Sequence, residues 1–356
     1  MLHVTKSFLP ELTSYTKYLE RIWNTSHLTN DGPLLLELEA KLAEFLEVEN
    51  FFFVSNGTIA LQLAIKSLGL KGDIITTPFS YCATSNSIIW ENCEPIFADI
   101  STESLTVESE SIKSKITKDT QAILTTHVYG NAGDLEGQVN LAQEFGIPLI
   151  FDGAHAFGVK YKGRSIFNYG DISTCSFHAT KLFHTGEGGA IFCKDTELRE
   201  KLYYSHNFGH NGPLDFHGVG INGKITELQA AMGLSVLPYM TEIIEGRKKV
   251  IEFYDAHLDF TKISKIKIRE NTNWNNSYYP VLFHTEAALL EAQNRLNAAQ
   301  IFPRRYFYPS LNTINYVKST SMPVSESVAS RILCLPLAYD LIFNEIQLIV
   351  NTTNNE

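Results

Sequence analysis

The feature that most constrains the fold is an alternation. Short apolar runs, DIITTPF, EPIFADI, QAILTTHV, IPLIFD, ISTCSF and GGAIFC, recur between segments with helical spacing. Runs of four to eight apolar residues separated by amphipathic helices predict a largely parallel sheet covered by helices on both faces. Among the intervening segments, TIALQLAIKSLGLKG predicts a helix from Thr58 to a stop at Gly69, and LEGQVNLAQEFG predicts one ending at Gly146. Ahead of the sheet, a short helix before residue 20 and LTNDGPLLLELEAKLAEFLEV, a turn at Asn30 to Pro33 followed by a helix, are expected to fold back onto it. From about residue 225 a long helical stretch, TELQAAMGLSVLPYMTEIIEGRKKVIEFYDAHL, is interrupted at Pro238 and leads into weaker patterning. The expected division is therefore a large α/β domain over residues 1–235 and a small α+β domain over 236–356, built around YYPVLFH, EAALLEAQNRLNAAQ, FPRRYFYP and a final helix.

Charge and cysteine usage narrow the class. With 29 Lys+Arg against 39 Asp+Glu the formal charge is -10, and no basic cluster offsets it, so a nucleic-acid partner is not expected. No stretch approaches the roughly 18 apolar residues of a membrane span, and the N-terminus lacks the apolar core of a secretory leader. Cys82, Cys93, Cys175, Cys193 and Cys334 lie far apart among apolar neighbours, a pattern of buried free thiols rather than a disulfide framework. The expectation is a cytoplasmic globular protein.

Three phrases carry chemistry. IPLIFD ends at Asp152, an acid at the carboxyl end of a parallel strand, where α/β sheets bind ligands. Alone, Asp152 is equally a turn residue. ISTCSF leads into SFHATK and then LFHTGEGGA, so one lysine, Lys181, follows Ser176 and His178 and precedes a Gly-rich turn, a setting that suits a Schiff-base amine near a phosphate. SNGTIAL opens a helix at Gly57 and Thr58, whose free N–H groups and dipole suit an anion, although the same residues serve as an ordinary N-cap. It is neither a P-loop nor GxGxxG. A phosphate cradle, a strand-end acid and a lone lysine together form the pattern of a pyridoxal 5'-phosphate enzyme. Two other groups have competing readings. His206, His210 and His217 lie in a Gly- and Pro-broken segment that cannot supply helical HxxxH metal geometry, so no metal is expected. Arg304, Arg305 and Tyr308 either contact a nucleotide diphosphate or pack at a domain edge.

The phrases LTNDGP, SNGTIALQLAI, TTPFSYCATSNSI, FDGAHAFG, SFHATKLFHTGEGGAIF and NGKITELQAAMGL resemble, in order and over nearly the full length, the nucleotide-sugar aminotransferases of the DegT/DnrJ/EryC1/StrS family. That resemblance implies the aspartate-aminotransferase-like fold (fold type I). It makes Lys181 the cofactor-bound lysine and Asp152 the partner of the pyridinium nitrogen. It also places His155 near the ring oxygen, Tyr81 on the ring face, and Gly57, Thr58 and Ser176 on the phosphate. Asn222 matches an Asn that reaches the phosphate of a neighbouring subunit, which implies a homodimer with shared active sites. The family's YNYRMTE stands here as INGKITE, with Lys224 in place of an Arg, so the diphosphate contact at that position loses its bidentate form. The implied reaction moves an amino group from L-glutamate to a nucleotide-linked keto-deoxysugar. SFHATK with GEGG resembles members that aminate C4, so the expected acceptor is dTDP-4-keto-6-deoxyglucose, with His178 beside the sugar. A C3-aminating enzyme and a non-catalytic cofactor-binding regulator are the alternatives. A dehydratase, in which His replaces the lysine, is disfavoured by Lys181.

Overall fold

The structure is a computed structural model and describes residues 1–355. Seven strands form the central sheet: β1 (Phe51–Val54), β2 (Asp73–Thr76), β3 (Glu94–Phe97), β4 (Thr120–Thr126), β5 (Leu149–Asp152), β6 (Ile172–Ser176) and β7 (Gly189–Cys193). They lie in the order β1-β7-β6-β5-β4-β2-β3. The six apolar runs read from sequence are β2 to β7; the remaining strand, FFFV, was not singled out. The sheet is mixed rather than wholly parallel, because β7 runs antiparallel to both its neighbours. The reason is local. No helix lies between Ser176 and Gly189 to carry the chain back across the sheet, so the segment returns as a hairpin.

Strand register sets where chemistry can occur. Thr126 pairs with Asp152, Asp152 with Thr174, and Gly189 with both Ser176 and Val54. The carboxyl ends of β1, β4, β5 and β6 therefore open on one edge, the ligand-binding edge of such sheets. Both faces are covered. The Gly57–Ser67 helix buries Leu61, Ala64 and Ile65 on one side, and the Pro33–Leu46 helix buries Leu34, Leu38 and Leu42 in another layer of the core.

Two phrases that carried the family resemblance prove to hold the fold together. Glu227 of KITE is buried and accepts the N–H groups of Leu34 and Leu35, at 2.9 Å each, so one carboxylate caps a helix almost 200 residues away in the chain. Gly32 of NDGP is required there, since a Cβ would lie 2.4 Å from the Glu227 carboxyl carbon. The long stretch after residue 225 is two helices, Glu227–Val236 and Met240–His257, joined at Leu237–Tyr239, where Pro238 removes an N–H.

The remainder builds a second core. Strands β8 (Ile263–Lys265), β9 (Tyr279–Phe283) and β10 (Ile332–Leu335) form an antiparallel sheet in the order β8-β9-β10. Tyr254, Leu289, Leu296 and Ile349 from three helices pack with it. One detail differs from expectation. Leu2 and His3 pair in parallel with Ile301 and Phe302, so the first residues join this C-terminal part rather than the large sheet. Among the described residues no helix is long and apolar enough to cross a membrane, and the five cysteines are free thiols.

Candidate active site

A cleft of about 710 Å³ opens at the carboxyl edge of the sheet. Gly57, Thr58, Tyr81, Asp152, His155, Ser176, His178, Lys181 and Arg304 all border it.

Asp152 ends β5 with its carboxylate buried. Burial pushes that carboxyl above its usual range. Three interactions pull the other way: the Thr84 hydroxyl donates to Oδ2 at 2.7 Å, the Ala154 N–H donates to Oδ1 at 3.0 Å, and the Lys181 charge attracts. A cationic group docked against the free side of the carboxylate would add to that pull. Lys181 follows β6 on a tight turn, its N–H donating to the His178 carbonyl. Burial draws its amine below the usual lysine range, countered by the charge of Asp152, so a larger share is the neutral nucleophile.

His155 is fixed more firmly than the sequence suggested. The Tyr129 N–H donates to its Nδ1 at 3.1 Å, which places the ring proton of the neutral form on Nε2. Burial, with a smaller contribution from Lys181, holds the imidazole well below its ordinary pKa and therefore neutral. Phe307 stacks on it at 5.5 Å and Tyr278 meets it edge-on at 4.9 Å.

The anion cradle lies across the cleft. Asn56 caps the Gly57–Ser67 helix by accepting the Ile59 N–H at 2.9 Å, and its carbonyl accepts the Ala60 N–H. The Gly57 and Thr58 N–H groups therefore remain for a ligand. Gly57 sits against the end of β6, where a Cβ would come 2.9 Å from the Ser176 Cβ. The absence of that Cβ brings two N–H groups and the Ser176 hydroxyl to one concavity.

At the rim, His178 Nε2 lies 3.6 Å from a Glu187 carboxylate oxygen, and its Nδ1 lies 2.8 Å from the Thr180 hydroxyl. Tyr81 is largely exposed, with its ring 6.5 Å from that of Phe307. Four expected residues lie elsewhere in this chain. Arg305 turns away to Glu286 (2.6 Å) and the Ser330 carbonyl (2.9 Å). Tyr308 is stacked under that guanidinium at 3.6 Å. Lys224 donates to Asn207 at 2.6 Å and lies over the Phe208 ring. Asn222 is exposed on a loop beside exposed Phe208, Phe216 and Ile221. Of His206, His210 and His217, His206 is tied to the Tyr203 carbonyl and His217 stacks on Tyr204.

The matching family model spans residues 12–354 and is described as DegT/DnrJ/EryC1/StrS aminotransferase family. The chain belongs to this family. It is 39% identical over 358 residues to the dTDP-4-amino-4,6-dideoxy-D-glucose transaminase of Shigella dysenteriae, covering 99% of this chain and 98% of that one. The Escherichia coli protein of the same name is 36% identical, covering 95% and 94%. Among solved structures, that of DesI in the presence of its TDP-sugar product superposes with a TM-score of 0.93 at 28% identity, covering 99% of this chain and 93% of that one. The fold is therefore fold type I, and the family's cofactor is pyridoxal 5'-phosphate. The donor set fits that group. Free N–H groups and a hydroxyl suit its phosphate, a buried carboxylate its ring nitrogen, an Nε2–H its ring oxygen and an amine of lowered pKa its aldehyde.

Thr84, Tyr129, Tyr278 and Phe307 had not been singled out from sequence. Thr84 alone had a usable signal, standing three residues after Tyr81 in SYCATSN.

Proposed function

We propose that this aminotransferase moves an amino group from L-glutamate to dTDP-4-keto-6-deoxyglucose, giving dTDP-4-amino-4,6-dideoxyglucose. The observation that supports the chemistry is the convergence of Lys181, Asp152, His155 and the Gly57–Thr58–Ser176 cradle on one cleft. The acceptor is carried over from the two full-length transaminase relatives.

Bound pyridoxal phosphate supplies an electron sink for the electrons released at the amino carbon. The protein's own groups do the rest. Gly57, Thr58 and Ser176 would hold the cofactor's phosphate. Asp152, ionised, would keep the ring nitrogen protonated, and Thr84 and the Ala154 N–H hold that carboxylate in place. His155 would offer its Nε2–H to the ring oxygen, and Tyr81 would be the aromatic residue for the ring face. Lys181 Nζ would be the base that takes the proton from the donor's amino carbon in the first half-reaction and the acid that supplies a proton to the acceptor's carbon in the second. His178 and Glu187, paired at the rim, orient the hexose so that C4 faces the nitrogen.

The active unit in this reading is a homodimer. Asn222 and Lys224 do not border the Lys181 cleft of their own chain, and Asn222 lies exposed beside exposed Phe208, Phe216 and Ile221, so we assign the two to the cofactor phosphate and the substrate of a second copy. Five free cysteines suit a reducing compartment, and we place the reaction in the cytoplasm.

Incubation of the holoenzyme with glutamate and a panel of dTDP- and GDP-linked keto sugars, with mass analysis of products, tests the reading. A mass change from ketone to amine on a dTDP-4-keto sugar is expected. Formation of 2-oxoglutarate without any aminated sugar nucleotide would refute the acceptor assignment.

A further inference from the structure

His155 follows β5 of the large sheet, yet much of what holds it comes from a distant part of the chain. The segment Trp274–Tyr278, which leads into β9, wraps around it. Asn275 Nδ2 donates to the His155 carbonyl at 2.9 Å, and Ser277 Oγ donates to the same oxygen at 3.0 Å, so both of that oxygen's acceptor positions are used. Tyr278 supplies the ring that meets the imidazole edge-on, and Trp274 Nε1 donates at 2.8 Å to the carbonyl of Tyr129, the residue whose N–H fixes Nδ1.

The segment is itself braced. Asn275 Nδ2 also donates to the Phe157 carbonyl at 2.8 Å, and Asn275 Oδ1 accepts the Ser277 N–H at 3.2 Å. Arg247, buried on the Met240–His257 helix, donates to the Ser277 carbonyl at 2.8 Å. Asn275 and Ser277 are buried too, so water does not compete for these bonds. Gly130 leaves the space they occupy, since a Cβ there would lie 2.6 Å from Asn275 Oδ1 and 2.8 Å from the His155 carbonyl oxygen. Of the two ring nitrogens of His155, only Nε2 is left without a partner among the described residues, and His155 borders the Lys181 cleft.

A hydrogen bond from Nε2 depends on direction as well as distance, and the imidazole pivots from its main chain. A residue whose carbonyl is gripped twice cannot tilt its ring without straining those bonds. We propose that Asn275 and Ser277 are positioning residues of the reaction, holding the His155 main chain so that its Nε2–H stays aimed at the ring oxygen of the cofactor. The proposal rests on the reading of His155 as donor to that oxygen and extends it to two residues with no assigned role. Its signature is electrostatic. The negative charge of the ring oxygen also attracts the proton on the nitrogen that links the cofactor to Lys181. A donor at the oxygen draws on that charge, so a loosened donor lets the linking nitrogen keep its proton to higher pH.

The test is the pKa of that linkage in the holoenzyme, read from the absorbance of the bound cofactor as pH is raised. His155→Phe, which removes the donor and keeps an aromatic ring in the stack, sets the scale by raising it. Ser277→Ala and Asn275→Ala are each expected to raise it in the same direction, by about 0.5 or more. Asn276→Gly is the control: its side chain donates to the Ile244 carbonyl instead, its positive φ suits glycine, and the pKa is expected to stay at the wild-type value. Asn275→Ala also frees the Phe157 carbonyl, so if it folds poorly Ser277→Ala, which removes a single hydroxyl, carries the test. A wild-type pKa in Ser277→Ala while His155→Phe raises it would overturn the proposal. So would an equal rise in Asn276→Gly, because the effect would then follow the segment and not its grip on His155. A wild-type pKa in His155→Phe would instead remove the reading of His155, and the proposal with it.

Discussion

Replacing Thr84 by Val removes one hydroxyl from beneath Asp152 with almost no change of volume. Thr84 is fully buried, its hydroxyl donating to Asp152 Oδ2 at 2.7 Å and lying 2.8 Å from the Ser80 hydroxyl. A hydrogen bond to a charged group contributes about 1.5–3 kcal/mol. Without it the carboxylate of Asp152 loses one of the two donors that oppose the effect of burial, so its pKa rises further. With about 1.4 kcal/mol per decade of rate, full expression of the loss in the transition state lowers the glutamate half-reaction by about tenfold to a hundredfold. The sign of its pH dependence follows. A carboxyl raised further is ionised only at higher pH, so the deficit should be largest in mild acid and shrink as pH increases. Stopped-flow absorbance of the bound cofactor on mixing with glutamate, from pH 6 to pH 9, reads this directly, and Thr84→Ser should recover most of the rate. An unchanged rate at every pH in a folded, cofactor-loaded Thr84→Val enzyme would refute the role given to this contact.

Glu39 gives a stability prediction. Burial raises its carboxyl from 4.5 to about 7, with the nearby Asp31 adding to the shift, while the Phe53 N–H and Arg199 oppose it. The native state then holds a proton that the unfolded chain has lost, so this group favours folding fully only below about pH 4.5 and costs stability as pH rises toward 7. Glu39→Gln should raise the melting temperature at pH 8, by an amount corresponding to at most about 3 kcal/mol, and far less at pH 5; an equal gain at both values would contradict the account. The shared-site reading is tested by mixing Asn222→Ala with Lys181→Ala chains. Heterodimers should regain activity, since one site carries both lesions and the other neither, and confirmed exchange without recovery would assign each site to a single chain.

Much of this architecture is visible in the sequence because its determinants are local. Asp152 ends one apolar strand and Lys181 follows another, so position in the chain already implied position at the sheet edge. β1 was harder to see, a four-residue run whose partner strand lies about 140 residues later. The reversal of β7 was implicit in the missing crossover helix. Contacts between distant segments left no such trace. The tautomer of His155 depends on a backbone N–H of Tyr129, and any residue other than proline would present one. Arg304 and Arg305 are indistinguishable as a pair of letters. In the extended segment they point apart, and only the positions of Glu286 and Ser330 decide which one is engaged.

The central claim is that this cleft transfers nitrogen from glutamate to C4 of a dTDP-linked 4-keto-6-deoxyhexose. Its most direct test is NMR of the sugar nucleotide formed from ¹⁵N-glutamate and dTDP-4-keto-6-deoxyglucose by the wild-type holoenzyme. The account predicts ¹⁵N coupled to C4 and its attached proton, with no such product from the 3-keto isomer. Nitrogen on C3, or no labelled sugar from the 4-keto substrate, would contradict it.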